Sequence, residues 1–230
     1  FGVVMREEKG EREEPLQAME PKKRSEKQRA GDRMREKILQ VARAEFLEYG
    51  FRDASLRRIA VKTSISVSNI YNHYKSKDDL FRAVLHPLLE SFTEMLREHN
   101  SEKSMELYVE QTEEFQRAMI KEFLALMLRF RTELKLLLLG SGGSSLEGFK
   151  EEIIQQQSEI GVEYIRKLRI KYPKANSAIS PLFIRICSHW WLIFMLELVA
   201  NESLTKEDIE KALSEYVCFG TAGWKSLMGI

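Results

Sequence analysis

From Arg33 onward the apolar residues Met34, Ile38, Val41, Ala42 and Phe46 recur at steps of three and four, the spacing of one face of a helix. Gly50 follows Tyr49 where a left-handed stop belongs, so the spacing predicts a first helix that ends there. A second, short helix is expected over about Ser55 to Lys62, with Ser55 as its cap and Leu56, Ile59 and Ala60 on its inner face. The turn Thr63-Ser64-Ile65 ends it. Ser66 then caps a third helix that points Ile70 and Tyr74 inward, and Ser76-Lys77-Asp78-Asp79 opens a fourth with a cap and an acidic first turn. Apolar positions keep helical spacing from Leu80 to Leu139 and from Phe149 to Ile170, and no stretch alternates strictly, so no strand is expected. Breaks are expected at Glu98 to Ser104, Gly140 to Ser145, Pro173 to Pro181 and Asn201 to Thr205. There Thr205 and Asp208 have the spacing of a capping box. Pro87 should kink the fourth helix or mark a boundary in it. The pattern predicts an all-α protein of roughly nine helices, without internal repeats.

The 230 residues have 43% hydrophobic content, enough for a core, and too little Pro and Gly for a fibrous or disordered chain. The formal charge of +1 conceals a strong asymmetry. Residues 1–20 carry 3 Lys/Arg against 6 Asp/Glu, residues 21–77 carry 15 against 6, and residues 78–230 carry 18 against 23. A basic unit joined to a mildly acidic body suits a module that meets a polyanion, although a basic solvated face would look the same. The charged residues 1–24 bury too little to order themselves and are expected to be a flexible tail. Residues 25–77 form the basic head, and residues 78–230 the body.

Two short helices joined by a three-residue turn, after a supporting helix, let the second enter a major groove while the first crosses the phosphates. Its exposed first turns then need small, hydroxyl and amide side chains. Val67, Ser68, Asn69 and Asn72 stand there, Asn suited to a bidentate contact with adenine and Val to a thymine methyl. Arg57 can reach a base or phosphate, and Ser55, Tyr71, His73 and Lys77 can hold phosphate oxygens; His73 also reads as a packed core histidine.

These residues carry a resemblance. Arg35-x-x-Ile38-Leu39-x-x-Ala42-x-x-x-Phe46-x-x-x-Gly50-Phe51, then Leu56-x-x-Ile59-Ala60, then Ile65-Ser66-x-Ser68-Asn69-Ile70-Tyr71-x-His73-Tyr74-x-Ser76-Lys77-x-x-Leu80 is similar to the DNA-binding domain of the TetR family of transcriptional regulators, over about residues 33–85. The resemblance implies a homodimer whose recognition helices enter successive major grooves of a palindromic operator, with a larger helical domain that binds a small-molecule effector. It makes Arg57, Val67, Ser68, Asn69, Tyr71 and Asn72 base-edge candidates, and Ser55, Thr63, Tyr71, His73 and Lys77 phosphate candidates. The sequence departs from the family pattern at Ser64, where Gly is usual and a positive φ would strain the backbone. It departs also at Tyr74, where Phe is usual and a hydroxyl needs solvent or a partner.

Beyond residue 85 the resemblance speaks for architecture alone. The segment Pro181 to Ala200 is apolar nearly all round and must be covered on two sides, one by its own domain and one by a second copy. Trp190, Trp191 and Phe194 there, with Phe219, Gly220, Gly223 and Trp224 in the final helix, are the dimer candidates; ordinary packing within one chain is the alternative. An apolar effector pocket with a few polar groups has Phe92, Met95, Phe115, Met119, Phe123, Met127, Phe130 and Tyr164 as candidates, with Arg185 or His189 as anchors.

Other chemistry finds little support. The run Ile184 to Ala200 is interrupted by Arg185, His189 and Glu197, so the sequence argues against a membrane span. Gly140-Ser-Gly-Gly-Ser-Ser145 lacks the Gly-Lys-Ser/Thr ending of a phosphate-binding loop. Cys187 and His189, two apart on a helix, diverge, and the histidines 73, 86, 99 and 189 have no zinc-type spacing. With two cysteines and no secretory leader pattern, the chain reads as a protein of a reducing cytoplasm. Neither metal, cofactor nor catalysis is expected. The sequence therefore predicts a ligand-responsive repressor, and as the alternative a DNA-tethered module whose helical body binds a protein.

Overall fold

The computed structural model describes residues 26–99, 113–176 and 178–229; the expected flexible tail of residues 1–24 lies outside them, as does most of the expected break between Glu98 and Ser104. Among the described residues there are eight helices and no strand: α1 (Glu26–Asp53), α2 (Leu56–Thr63), α3 (Val67–His73), α4 (Lys77–His99), α5 (Glu113–Leu139), α6 (Phe149–Lys171), α7 (Pro181–Ala200) and α8 (Lys206–Met228).

In the head, α1 begins earlier than expected, at Glu26, because its first turns are charged and give no apolar signal. Gly50 does leave helical geometry (φ 68°, ψ 179°), and the chain turns there so that the Phe51 amide donates to Gly140 O at 2.7 Å. Ser55 starts α2 without capping it by its side chain. Its amide donates instead to Glu45 Oε1 at 3.0 Å, so α1 supplies the acceptor. The turn closes on Ser64 in the left-handed region (φ 60°), with Ile65 N–H on Ala60 O and Ser64 N–H on Val61 O. Ser66 caps α3 by accepting from the Asn69 amide at 3.1 Å, and Ser76 accepts from the Asp79 amide at 2.9 Å to open α4. Phe46, Phe51 and Phe81 close the head core with ring centroids 5.0 and 5.1 Å apart from Phe81.

α4 runs on through Pro87 rather than ending there. Its first half packs Leu80 and Phe81 in the head and its second packs Phe92 and Met95 in the body, so one apolar core passes from Ile38 to Leu213. α5 is the central helix, in contact with α1, α4, α6, α7 and α8, and it bends at Phe130 (φ −124°, ψ 20°). The capping box of Thr205 and Asp208 forms as the spacing predicts.

α7 has 20 residues and a mean hydropathy of 1.6, long and apolar enough by length and composition alone to cross a membrane, a test that a core helix also meets. Its setting is a helical body: Arg185 pairs with Glu151 of α6 at 2.5 Å, and Ile184, Leu192, Met195, Leu198 and Val199 are buried against neighbouring helices.

Candidate functional site

Charged side chains fasten the basic head. Glu45 is fully buried in α1 and accepts from the Ser55 amide at 3.0 Å and from Arg58 Nε at 2.5 Å, with Lys62 Nζ at 3.3 Å. Burial would raise its pKa, but the Ser55 N–H and the Arg58 and Lys62 cations outweigh burial and hold it below the usual carboxylate range. Lys37 Nζ adds a bond to Thr63 O at 2.9 Å, so α2 is fastened to α1 at both ends. The angle at which α3 leaves the turn follows from that fastening.

On α3, Ser68, Tyr71 and Asn72 are exposed, Val67 and Asn69 are half-buried, and Ile70 is buried beneath them. Half of Tyr71 (50%) meets solvent, unusual for a large aromatic side chain on a short helix. Arg57 is exposed on α2, and one turn later Val61 is 79% exposed on the same side. The sequence reading passed over Val61; its signal was an apolar residue opposite the inner face Ile59 and Ala60. The phosphate candidates divide. Ser55 and His73 are half-exposed at the rim. Thr63 is not available: it is 1% exposed and its hydroxyl donates to Ile59 O at 2.7 Å. It locks the end of α2 instead. Lys77 Nζ donates to Arg52 O and Ala54 O, both at 3.1 Å, and lies 4.5 Å over the Phe51 ring, leaving one of its three protons for a phosphate. Tyr74 finds neither solvent nor a hydrogen-bond partner for its hydroxyl; burial pushes its pKa up, partly offset by the Arg35 guanidinium 5.2 Å over the ring.

The body holds a cavity of about 350 Å³ between α5, α6, α7 and α8. Phe123, Tyr164, Trp191, Phe194, Tyr216 and Trp224 give it aromatic walls. Gln157, Cys187, Ser188 and Thr221 add polar or polarisable atoms, and among the described residues no charged side chain lines it. Phe194 and Tyr216 stack at 4.4 Å, so α7 and α8 meet through rings across the cavity rather than by close backbone approach. α6 and α7, by contrast, lie very close: a Cβ on Gly161 would stand 2.6 Å from Ile184 Cγ2. Burial and neighbouring Tyr172 push the Tyr164 phenol to about 12, and burial and nearby Cys187 push Tyr216 to about 12; both stay protonated donors at neutral pH.

Of the ten pocket candidates, Met119, Phe123 and Tyr164 line this cavity. Phe92, Met95, Met127 and Phe130 are buried in the core beside it, and Phe115 is half-buried outside it. Arg185 is taken by Glu151 and by Gln155 Oε1 at 2.9 Å, and His189 Nδ1 lies 2.8 Å from Arg185 O. Helical spacing alone does not separate a wall from a core face, which is why these were missed. The dimer candidates divide likewise: Trp191, Phe194, Gly220 and Trp224 line the cavity, whereas Trp190 (49% exposed) and Phe219 (67%) point outward with centroids 6.4 Å apart. Gly223 is exposed, and Leu182, Ile186 and Ile193 extend the outward apolar face.

Head and body are joined by short polar bridges. Arg43 Nε of α1 donates to Glu133 Oε1 of α5 at 2.5 Å and its Nη2 to Thr132 Oγ1 at 2.9 Å. The Ser145 amide donates to Asp78 Oδ1 at 2.7 Å. Next to Glu133, Arg131 donates to the carbonyls of Leu198 and Leu204, each at 3.0 Å, and to that of Asn201, which ties the same stretch of α5 to the end of α7.

Comparison with known proteins agrees with this geometry. Residues 38–84 match the family model described as bacterial regulatory proteins, tetR family. Among solved structures, a TetR-like transcriptional regulator from Rhodococcus sp. RHA1 shares 20% identity over 83% of this chain and 96% of its own, with a TM-score of 0.57. NalD, the secondary repressor of the MexAB-OprM multidrug efflux pump in Pseudomonas aeruginosa, shares 20% over 84% of this chain and 96% of its own (TM-score 0.53). AibR, solved in complex with isovaleryl coenzyme A and operator DNA, shares 16% over 80% and 97% (TM-score 0.51). No curated protein matches. Residues 38–84 thus resemble the tetR-family model, and the fold of the described residues is TetR-like.

Proposed function

We propose that the protein is a ligand-responsive transcriptional repressor of the reducing cytoplasm, which binds a palindromic operator as a homodimer and performs no catalysis. The observation that carries this reading is the exposed polar row Ser68, Tyr71 and Asn72 on α3, in a basic head that α5 joins to a cavity able to hold a small molecule. Asn69 and Asn72 would read base edges with Arg57, Val67, Ser68 and Tyr71, and the remaining proton of Lys77 with Ser55 and His73 would hold phosphates.

Two copies would meet through the outward face of Trp190, Phe219, Ile186 and Ile193, an exposed aromatic and aliphatic surface of the kind that marks an interface. Coupling would run through α5. A molecule between α5 and α8 bears on Met119 and Phe123, above the bend at Phe130, while Arg131 and Glu133 just below the bend hold α7 and α1. Ligand-bound and DNA-bound arrangements of α5 would then compete, and the effector would lower operator affinity by its differential affinity for the two. The cavity favours this over the protein-interaction alternative, which needs no internal space. AibR in its ternary composition offers a parallel for one protein meeting both acyl ligand and operator.

The test is selection of bound duplexes from a random pool at fixed moderate salt. An enriched palindrome, with half-sites one helical turn or a multiple apart, is the expected result. Binding without enrichment, vanishing as salt rises, would refute the reading.

A further inference from the structure

Two polar atoms in the cavity wall have no partner. Gln157 Nε2 and the Tyr164 hydroxyl are both buried and make no hydrogen bond, although burying an amide or hydroxyl unsatisfied is costly. They lie on α6 seven residues apart, two turns along one helical face, and both line the same space. Ser188, by contrast, is satisfied: its hydroxyl donates to Ile184 O and accepts from Ser158 Oγ, each at 3.2 Å. The described wall thus presents two unpartnered donors on α6 facing five further aromatic rings, and no charged side chain.

We infer that the cavity takes an uncharged, ring-bearing hydrophobic molecule with one carbonyl-type acceptor, held between the aromatic walls by Gln157 Nε2 and the Tyr164 hydroxyl. The inference rests on the cavity being the effector site proposed above and names the class of molecule it selects. A desolvated carboxylate or phosphate needs a cation, and the described wall residues supply none. Arg185, the nearest sequence candidate, is engaged with Glu151 and Gln155. A second cavity of about 210 Å³ does carry Arg166 and Arg169, but it shares only Ile165 and Ile184 with the first, and Arg166 is paired with Glu163 at 2.7 Å. The expected ligand therefore differs in class from the coenzyme A thioester named with AibR.

Calorimetric titration of the full chain with four probes tests this: benzophenone, diphenylmethane, 4-benzoylbenzoate and isovaleryl coenzyme A. Benzophenone should bind about 3- to 10-fold more tightly than diphenylmethane, the increment of a hydrogen bond satisfied at the carbonyl. Both anions should bind more weakly than benzophenone. Gln157→Leu and Tyr164→Phe should each shrink the preference for the ketone while leaving diphenylmethane affinity unchanged, which also shows that the variants fold. Equal affinity for ketone and hydrocarbon, or tighter binding of either anion, overturns the inference. The same probes added to the protein on its selected duplex separate the two claims. Ketone binding in the cavity without DNA release upholds the ligand class and refutes the effector role; release by an anion alone does the reverse.

Discussion

Replacing Glu45 attacks the head at the one fully buried carboxylate among its described residues. Glu45→Ala removes the acceptor of the Ser55 amide and strands two cations that were placed around it. Breaking a buried ion pair from one side costs about 3–5 kcal/mol when the remaining charge stays buried. Here Arg58 and Lys62 keep 43% and 47% of their side chains exposed and regain water, so their share must be discounted. The Ser55 amide then contributes about 1 kcal/mol as an orphaned donor. The expected loss is about 2–3 kcal/mol, or roughly 4–12 °C in Tm at about 2–4 °C per kcal/mol for a chain of this size. Glu45→Gln keeps the shape and the acceptor for Ser55 but not the charge, and should lose about half as much. The assay is urea and thermal unfolding of the full chain followed by far-ultraviolet circular dichroism, with operator binding measured alongside. Because the folded pKa of Glu45 is depressed, its contribution is present above the unfolded carboxylate value of about 4.3 and is lost as pH falls through the folded value. The gap between wild type and Glu45→Gln should therefore narrow below about pH 4. A gap under about 0.5 kcal/mol at pH 7, or one that widens in acid, would refute the claim that this carboxylate fastens α2 to α1.

Asn69→Ala and Tyr71→Ala should each cost about 1–3 kcal/mol on the selected operator and little on random duplex, by gel shift at fixed salt; equal loss on both would remove them from base reading. A double-mutant cycle of Arg43→Met and Glu133→Gln, read as the ratio of operator affinities with and without effector, should show loss of coupling with unliganded binding largely retained. A ratio unchanged from wild type would place the coupling elsewhere. Trp190→Glu with Phe219→Glu should convert a dimer to a monomer in sedimentation and weaken operator binding, whereas a dimer undisturbed by both charges would rule out this outward face as the interface.

Several features of the fold were legible in the residues because each has a local cause. The period of Ile38, Ala42 and Phe46, the Ser66 cap, the Ser76 cap and the Thr205–Asp208 box depend on neighbours within a few positions, so reading them needs no knowledge of the rest of the chain. Ser64 stands where the TetR-family pattern usually has Gly, and it adopts the positive φ of 60° for which that departure implied strain. What the residues did not reveal has another cause. That the Thr63 hydroxyl is buried, and that two protons of Lys77 go to Arg52 O and Ala54 O, depends on the head's tertiary packing. That Phe92 and Met127 fill core while Trp191 and Tyr216 wall a cavity depends on how closely helices approach, which Gly161 and the bend at Phe130 set and which periodicity cannot express. The amino-acid order by itself determined an all-helical chain with a basic head, since periodicity, caps and charge are local properties. Which side chains face solvent, cavity or one another was decided only when distant helices met, because burial and hydrogen-bond satisfaction belong to the packed assembly and not to any single segment.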